Sequence, residues 1–135
     1  MDLNLRDKVA FVTGGSKGIG REVARRLASE GCDVAITARG AESLEDTASE
    51  ISRETGRRVV ALPGDMSVTA DVNRCVAQAV DEWGRIDILV TCAGSSPGGL
   101  LEELTDEQWL ESLQLKFLGY VRTVRAVVPH MLKTG

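Results

Sequence analysis

An open α/β fold, doubly wound around a parallel sheet of about four strands, is what this sequence predicts, and three observations predict it. Four short apolar runs, at residues 9–13, 33–37, 59–62 and 86–91, alternate with four segments of helical periodicity, the order that a parallel sheet with crossover helices requires. The runs are continuously apolar rather than alternating, as strands covered on both faces are. A glycine-rich turn joins the first run to the first helix.

Each helix carries its own signals. The first places Ile19, Val23 and Leu27 four residues apart, a stripe expected to face the sheet, with Arg21, Arg25, Arg26 and Glu30 elsewhere and Gly31 positioned to close it. The second, residues 41–55, carries Leu44, Ala48 and Ile51 and is followed by Gly56. The third, with Ser67 or Thr69 as N-cap, carries Val72, Val76, Ala79, Val80 and Trp83 and stops at Gly84. The fourth opens on a capping box, Thr105 with Gln108 three residues on. Its stripe of Leu110, Leu113, Phe117, Val121, Val124 and Val128 is widened by Leu115, Leu118 and Tyr120, so one long helix buried on two sides is expected, kinked or ended near Pro129. The only stretch rich in Gly, Ser and Pro, residues 94–104, precedes it.

The turn between the first strand and helix reads Gly14-x-x-x-Gly18-x-Gly20. Gly14 allows a tight turn, Gly18 lets backbone approach a pyrophosphate, and Gly20 allows close packing of helix on sheet. The open N–H groups and positive end of the helix then face the phosphates, so a Rossmann-type dinucleotide site is expected. A phosphate-loop NTPase is excluded, because Lys17 precedes Gly18 and no Ser or Thr follows in register.

"TGGSKGIG" (residues 13–20) resembles the TGxxxGxG cofactor motif of the short-chain dehydrogenase/reductase family, and the likeness continues in "GDMS" (64–67), "TCAG" (91–94) and the helix from Trp109. It covers essentially the whole chain with four motifs in order. The resemblance implies an NAD(P)-dependent oxidoreductase acting on a small alcohol or carbonyl. It implies cofactor contacts from Gly14, Ser16, Lys17, Gly18, Ile19 and Gly20, from Asp65, whose carboxylate would accept from the adenine amino group, from Met66, and from Cys92, Ala93 and Gly94. Three positions depart from the pattern: Thr91 and Cys92 stand where the family has two Asn, and Lys116 stands where it usually has its catalytic Asn. Lys116 is the one catalytic candidate, either a functional ammonium near the nicotinamide ribose or a helix residue whose charge reaches solvent.

The end of the second strand reads Thr37-Ala38-Arg39, with no acidic residue to bind a ribose 2′-hydroxyl. Arg39 and Lys17 could together neutralise a 2′-phosphate, which favours NADP(H) with NAD(H) as second choice; the alternative is two solvated surface cations. A net charge of -4 argues against nucleic acid and anionic membranes as partners. The lone His130 and the acidic residues around Thr105 offer no metal or paired-carboxylate chemistry. Three scattered cysteines, Cys32, Cys75 and Cys92, fit buried filler in a reducing compartment, and with no signal segment at the N-terminus a cytoplasmic location is expected.

The 135 residues suit a single dinucleotide-binding domain, C-terminally incomplete relative to the family. The family's Ser and Tyr-x-x-x-Lys are absent, since Tyr120 is followed by Val124 and not by lysine. The chain alone is therefore expected to be inactive, with a half-sheet of order 3-2-1-4, an open fourth strand, and association between copies through the helix around Leu110 to Val128. A non-catalytic dinucleotide-binding or interaction module is the alternative.

Overall fold

The computed structural model describes residues 1–135. In chain order the elements are β1 (Val9–Thr13), α1 (Gly18–Ser29), β2 (Asp33–Ala38), α2 (Ala41–Thr55), β3 (Val59–Pro63), α3 (Thr69–Trp83), β4 (Ile88–Thr91), α4 (Asp106–Lys116) and α5 (Leu118–Thr134). The four strands form one parallel sheet in the order β3-β2-β1-β4. Side chains alternate across it. Ala10, Val12, Val34 and Ile36 pack against α1 and α2 on one face. Phe11, Ala35 and Leu62 pack against α3 and α5 on the other. Helices on both faces explain why the strand sequences are continuously apolar.

Several sequence expectations are corrected here. The buried stripe of α1 is Gly20, Ala24 and Ala28, with Val23 and Leu27 at its margin and Ile19 exposed. Small residues let α1 lie close on the strands, and the larger ones flank the contact. Neither Ser67 nor Thr69 caps α3: its N-cap is Val68, with no side-chain bond, and Thr69 is the first helical residue. Ser67 is unavailable because its N–H and hydroxyl both donate to the Asp65 carboxylate, at 2.9 and 2.7 Å. The ladder of β4 starts at Ile88 rather than at residue 86, although Asp87 already bonds Val9 twice, its N–H donating to the Val9 carbonyl and its carboxylate accepting the Val9 N–H, both at 2.8 Å. Ile86 is nonetheless fully buried.

The expected long fourth helix is two helices. It opens on the predicted capping box and breaks at Phe117, where φ is -96° and ψ is -65°. Beyond the break, Gly119 lies so close to the Met66 carbonyl that a Cβ there would stand 3.0 Å from its oxygen. Arg122 bridges the break by donating to the Gln114 backbone and side-chain oxygens at 3.0 and 2.8 Å. Pro129 does not end α5, which continues to Thr134. Nor is the predicted apolar stripe buried on two sides. The buried residues of α5 are Gly119, Thr123 and Val127, α4 buries none, and Leu110, Leu113, Phe117, Val121, Val124 and Val128 are exposed. Periodicity identified an apolar face but not whether protein covers it. No helix is long and apolar enough to cross a membrane.

Candidate functional site

A cavity of about 560 Å³ opens at the C-terminal ends of β1, β2 and β4, where open parallel sheets place ligands. All twelve residues singled out for a dinucleotide line it, from Gly14, Ser16, Lys17, Gly18, Ile19 and Gly20 through Arg39, Asp65 and Met66 to Cys92, Ala93 and Gly94. Thr37, Ala38, Gly40, Ser43, Gly64, Ser95 and Leu115 complete the wall.

The glycine turn has separable reasons for its composition. Gly14 has φ +68°, and a Cβ on it would lie 2.8 Å from the Ala93 backbone. Gly18 has φ +58° with nothing within 4 Å of the Cβ position. At Gly20 a Cβ would collide with the Gly14 carbonyl oxygen and stand 2.7 Å from its carbon. Gly14 and Gly20 are thus required by packing, whereas Gly18 keeps space open at the start of α1. The N-cap of that helix is Lys17, without a side-chain bond, so its first N–H groups are free for an anion.

Residues outside the motif hold the turn in place. The Thr13 hydroxyl accepts the N–H groups of Cys92 and Ala93, both at 3.1 Å, tying the end of β4 to β1. The Gly15 N–H donates to the Thr37 carbonyl at 3.0 Å. Thr47, on α2, donates to the Ser16 carbonyl at 3.0 Å. A Cβ on Gly15 would stand 2.6 Å from Ile36 Cβ. Thr13, Gly15 and Thr47 were missed by sequence reasoning; Gly14 beside Thr13 and Gly15 was the only signal for those two, and nothing local marked Thr47.

At the other wall, Arg39 and Lys17 are exposed and neither is paired with an acid. The N-cap of α2, Gly40, also lacks a side-chain bond. The Asp65 loop is held from behind: its N–H donates to Asp71 at 2.8 Å, and Arg74 bonds both Asp71 and the Pro63 carbonyl, at 3.2 and 2.9 Å. The Asp65 N–H, followed by Arg74, holds the Asp71 carboxyl below the usual carboxylate range. Asp65 commits Oδ1 to Ser67, leaving Oδ2 without a protein partner.

Cys32 and Cys75 are buried filler as expected, but Cys92 is half-buried in the cavity wall. Burial pushes its thiol up, so at neutral pH it is not a thiolate nucleophile. Lys116 does not line the cavity. Its stem packs on Gly94, with Cε 3.0 Å from that residue's Cβ position, and its ammonium donates to the Ser96 hydroxyl at 3.3 Å.

A family model described as short chain dehydrogenase matches residues 8–135. An uncharacterized NAD-dependent oxidoreductase of Mycobacterium tuberculosis is 39% identical over 98% of this chain and 52% of its own length. Among solved structures, L-sorbose reductase of Gluconobacter frateurii, complexed with NADPH and L-sorbose, superposes with a TM-score of 0.96 at 32% identity, over 100% of this chain and 51% of that one. Carveol dehydrogenase of Mycobacterium avium, in complex with NAD, gives 0.88 at 32% identity, over 96% and 51%. The chain spans about half the length of the relatives that it matches.

Proposed function

Because this chain belongs to the short-chain dehydrogenase family, we propose that it is the dinucleotide-binding half of an oxidoreductase that interconverts an alcohol and a carbonyl, with NADP(H) preferred over NAD(H). The observation that carries the cofactor choice is the pair of unpaired cations, Lys17 and Arg39, at a cavity whose second strand ends in Thr37-Ala38-Arg39 without an acid. The relatives do not decide it, since one is NAD-dependent, one was solved with NADPH and one with NAD.

The twelve predicted contacts divide by chemistry. Gly14, Ser16, Gly18, Ile19 and Gly20 present backbone N–H groups and the start of α1 to a pyrophosphate. Lys17 and Arg39 neutralise a 2′-phosphate, Arg39 through its fork and Lys17 as a point charge. Asp65 and Met66 hold the adenine, and Cys92, Ala93 and Gly94 bring backbone to the ribose on the nicotinamide side. The nicotinamide, when bound, exchanges a hydride with the substrate. Of the groups expected near it, this chain supplies Lys116, next to the Gly94–Ser96 loop. A Tyr-x-x-x-Lys is not among the 135 residues, so this half binds cofactor without turning over substrate by that route. Copies of the chain associate through the exposed apolar face of α4 and α5.

Fluorescence titration with NADPH and NADH tests the reading. NADPH binds at least about tenfold tighter, a charge-assisted contact of about 1.5–3 kcal/mol. Arg39→Asp reverses that order. Equal affinities in both proteins would remove the 2′-phosphate role of Arg39, and binding of neither dinucleotide would remove the reading as a whole.

A further inference from the structure

Four threonines are buried: Thr13, Thr37, Thr47 and Thr123. Three of their hydroxyls are paired, Thr13 with the Cys92 and Ala93 N–H groups, Thr47 with the Ser16 carbonyl, and Thr123 with the Gly119 carbonyl at 2.7 Å. Thr37, at 0% exposure, has an Oγ1 with no partner. A buried hydroxyl without a bond is a standing cost to the folded state, one that a valine of the same shape would avoid. Such a group in a cavity wall points to a ligand.

The surroundings say which part of the ligand. Thr37 pairs in register with Leu62 of β3 and Thr13 of β1, and it follows Ala35 on the face that carries α3 and α5. One residue on, the Ala38 carbonyl accepts the Gly64 N–H at 2.9 Å, which lays the Asp65–Met66 loop against the strand end beside Thr37. Thr37, Asp65, Met66 and Leu115 line the same cavity. That wall offers two apolar side chains, a carboxylate oxygen without a protein partner and a hydroxyl without one. An aminopurine is complementary to it: a flat apolar ring whose edge sets an amino donor next to a ring-nitrogen acceptor.

Building on the proposed dinucleotide site, we infer that Thr37 reads the purine, its hydroxyl donating to a ring nitrogen beside the amino group accepted by Asp65. The oxygen is buried below the cavity surface, so the entering base displaces the wall slightly to reach it. The bond then formed replaces no bond to water on the protein side, which puts its contribution toward the upper end for a neutral pair.

The test uses Thr37→Val, which keeps the shape and removes the hydroxyl, and Thr37→Ser, which keeps the hydroxyl. Titrations with NADPH, with adenosine 5′-monophosphate and with reduced nicotinamide mononucleotide separate the ends of the ligand. Thr37→Val weakens NADPH and the adenosine nucleotide by the same factor, about tenfold. It leaves the mononucleotide unchanged and melts no lower than the parent protein, whereas Thr37→Ser binds NADPH within about twofold of the parent. Parent-like NADPH affinity in Thr37→Val, an equal loss for the mononucleotide, or a Ser variant as weak as the Val variant would each overturn the inference. Failure of the parent protein to bind either NADPH or NADH is a different result, which removes the dinucleotide site itself and the role of Thr37 with it.

Discussion

Gly14→Ala and Gly18→Ala are chemically the same substitution at two positions of similar backbone conformation, φ +68° and +58°. Both place an L-residue in the left-handed region, at about 1–2 kcal/mol. Both reduce the entropy of the unfolded chain equally, so that contribution cancels in the comparison. They differ in what the new methyl meets. At Gly14 it stands 2.8 Å from Ala93 Cα and N and 2.9 Å from the Cys92 carbonyl carbon, all backbone, and at Gly18 it meets nothing within 4 Å. Forcing a methyl into packed backbone adds about 1–3 kcal/mol. Gly18→Ala is therefore expected to cost about 1–2 kcal/mol and Gly14→Ala about 2–5 kcal/mol, or roughly 4–8 °C and 8–20 °C in melting temperature at about 4 °C per kcal/mol. Thermal melts by circular dichroism, without ligand, measure both. Affinity should order them differently, because the Gly18 methyl occupies the open space at the start of α1 and weakens NADPH at least about tenfold even in protein that is still folded. Equal melting losses for the two variants would refute the division of the turn into a packing glycine and a ligand-facing one.

Two further outcomes follow from charge and from exposed apolar surface. The carboxyls of Glu22, Glu50 and Asp71 are held down by Arg26, Arg21 and the Asp65 N–H respectively, and that of Asp87 is lowered because Arg85 and the Val9 N–H outweigh its burial. A carboxylate lowered on folding stabilises fully above its unfolded value and loses that contribution as pH falls through its folded one. The protein should hold its stability down to about pH 4 and lose it below, with Asp71→Asn flattening the acid limb in urea melts taken against pH. Phe117 at the break and Val121 and Val124 on α5 leave an apolar strip, 62%, 43% and 45% exposed. Val121→Glu should shift the sedimentation coefficient toward the monomer without lowering NADPH affinity, and a parent protein that is already monomeric at micromolar concentration would remove this face as a self-association surface.

The parts legible in the sequence were those fixed by local chemistry. The parallel sheet and the turn at the end of its first strand follow from four doubly covered apolar runs and a glycine turn, the strand order from the fold that the family resemblance implies, and Thr105 with Gln108 marks the start of α4. What was not legible depends on partners distant in sequence. Thr13 is pinned to Cys92 across 79 residues and Thr47 to Ser16 across 31, and neither threonine stands out alone. Ser67 looked like a cap because Ser is a good one, but its hydrogen bonds were already committed to Asp65. The α1 stripe was misplaced by one residue because large apolar side chains attract attention, whereas Gly20, Ala24 and Ala28 make the contact. Nothing local announced the break at Phe117, where the close approach of Gly119 to Met66 sets the path of α5.

The sheet is also graded in stiffness. β1 is buried along its whole length between two neighbours, whereas every residue of β4 is only half-buried and has β1 alone beside it. Local opening in proteins begins where buried contacts are fewest. On one cavity wall Thr37 sits in β2, which is paired on both sides, and the Asp65–Met66 loop after the edge strand β3 is tied back to it through the Gly64 N–H, whereas the wall formed by Cys92 to Gly94 hangs from β4 through the Thr13 hydroxyl and the β1 ladder. A dinucleotide lying across both would dock its adenosine end on a wall that shifts only slightly and order the wall at its other end as it settled. The ligand would act as a brace between the two, slowing amide hydrogen exchange most at residues 88–94.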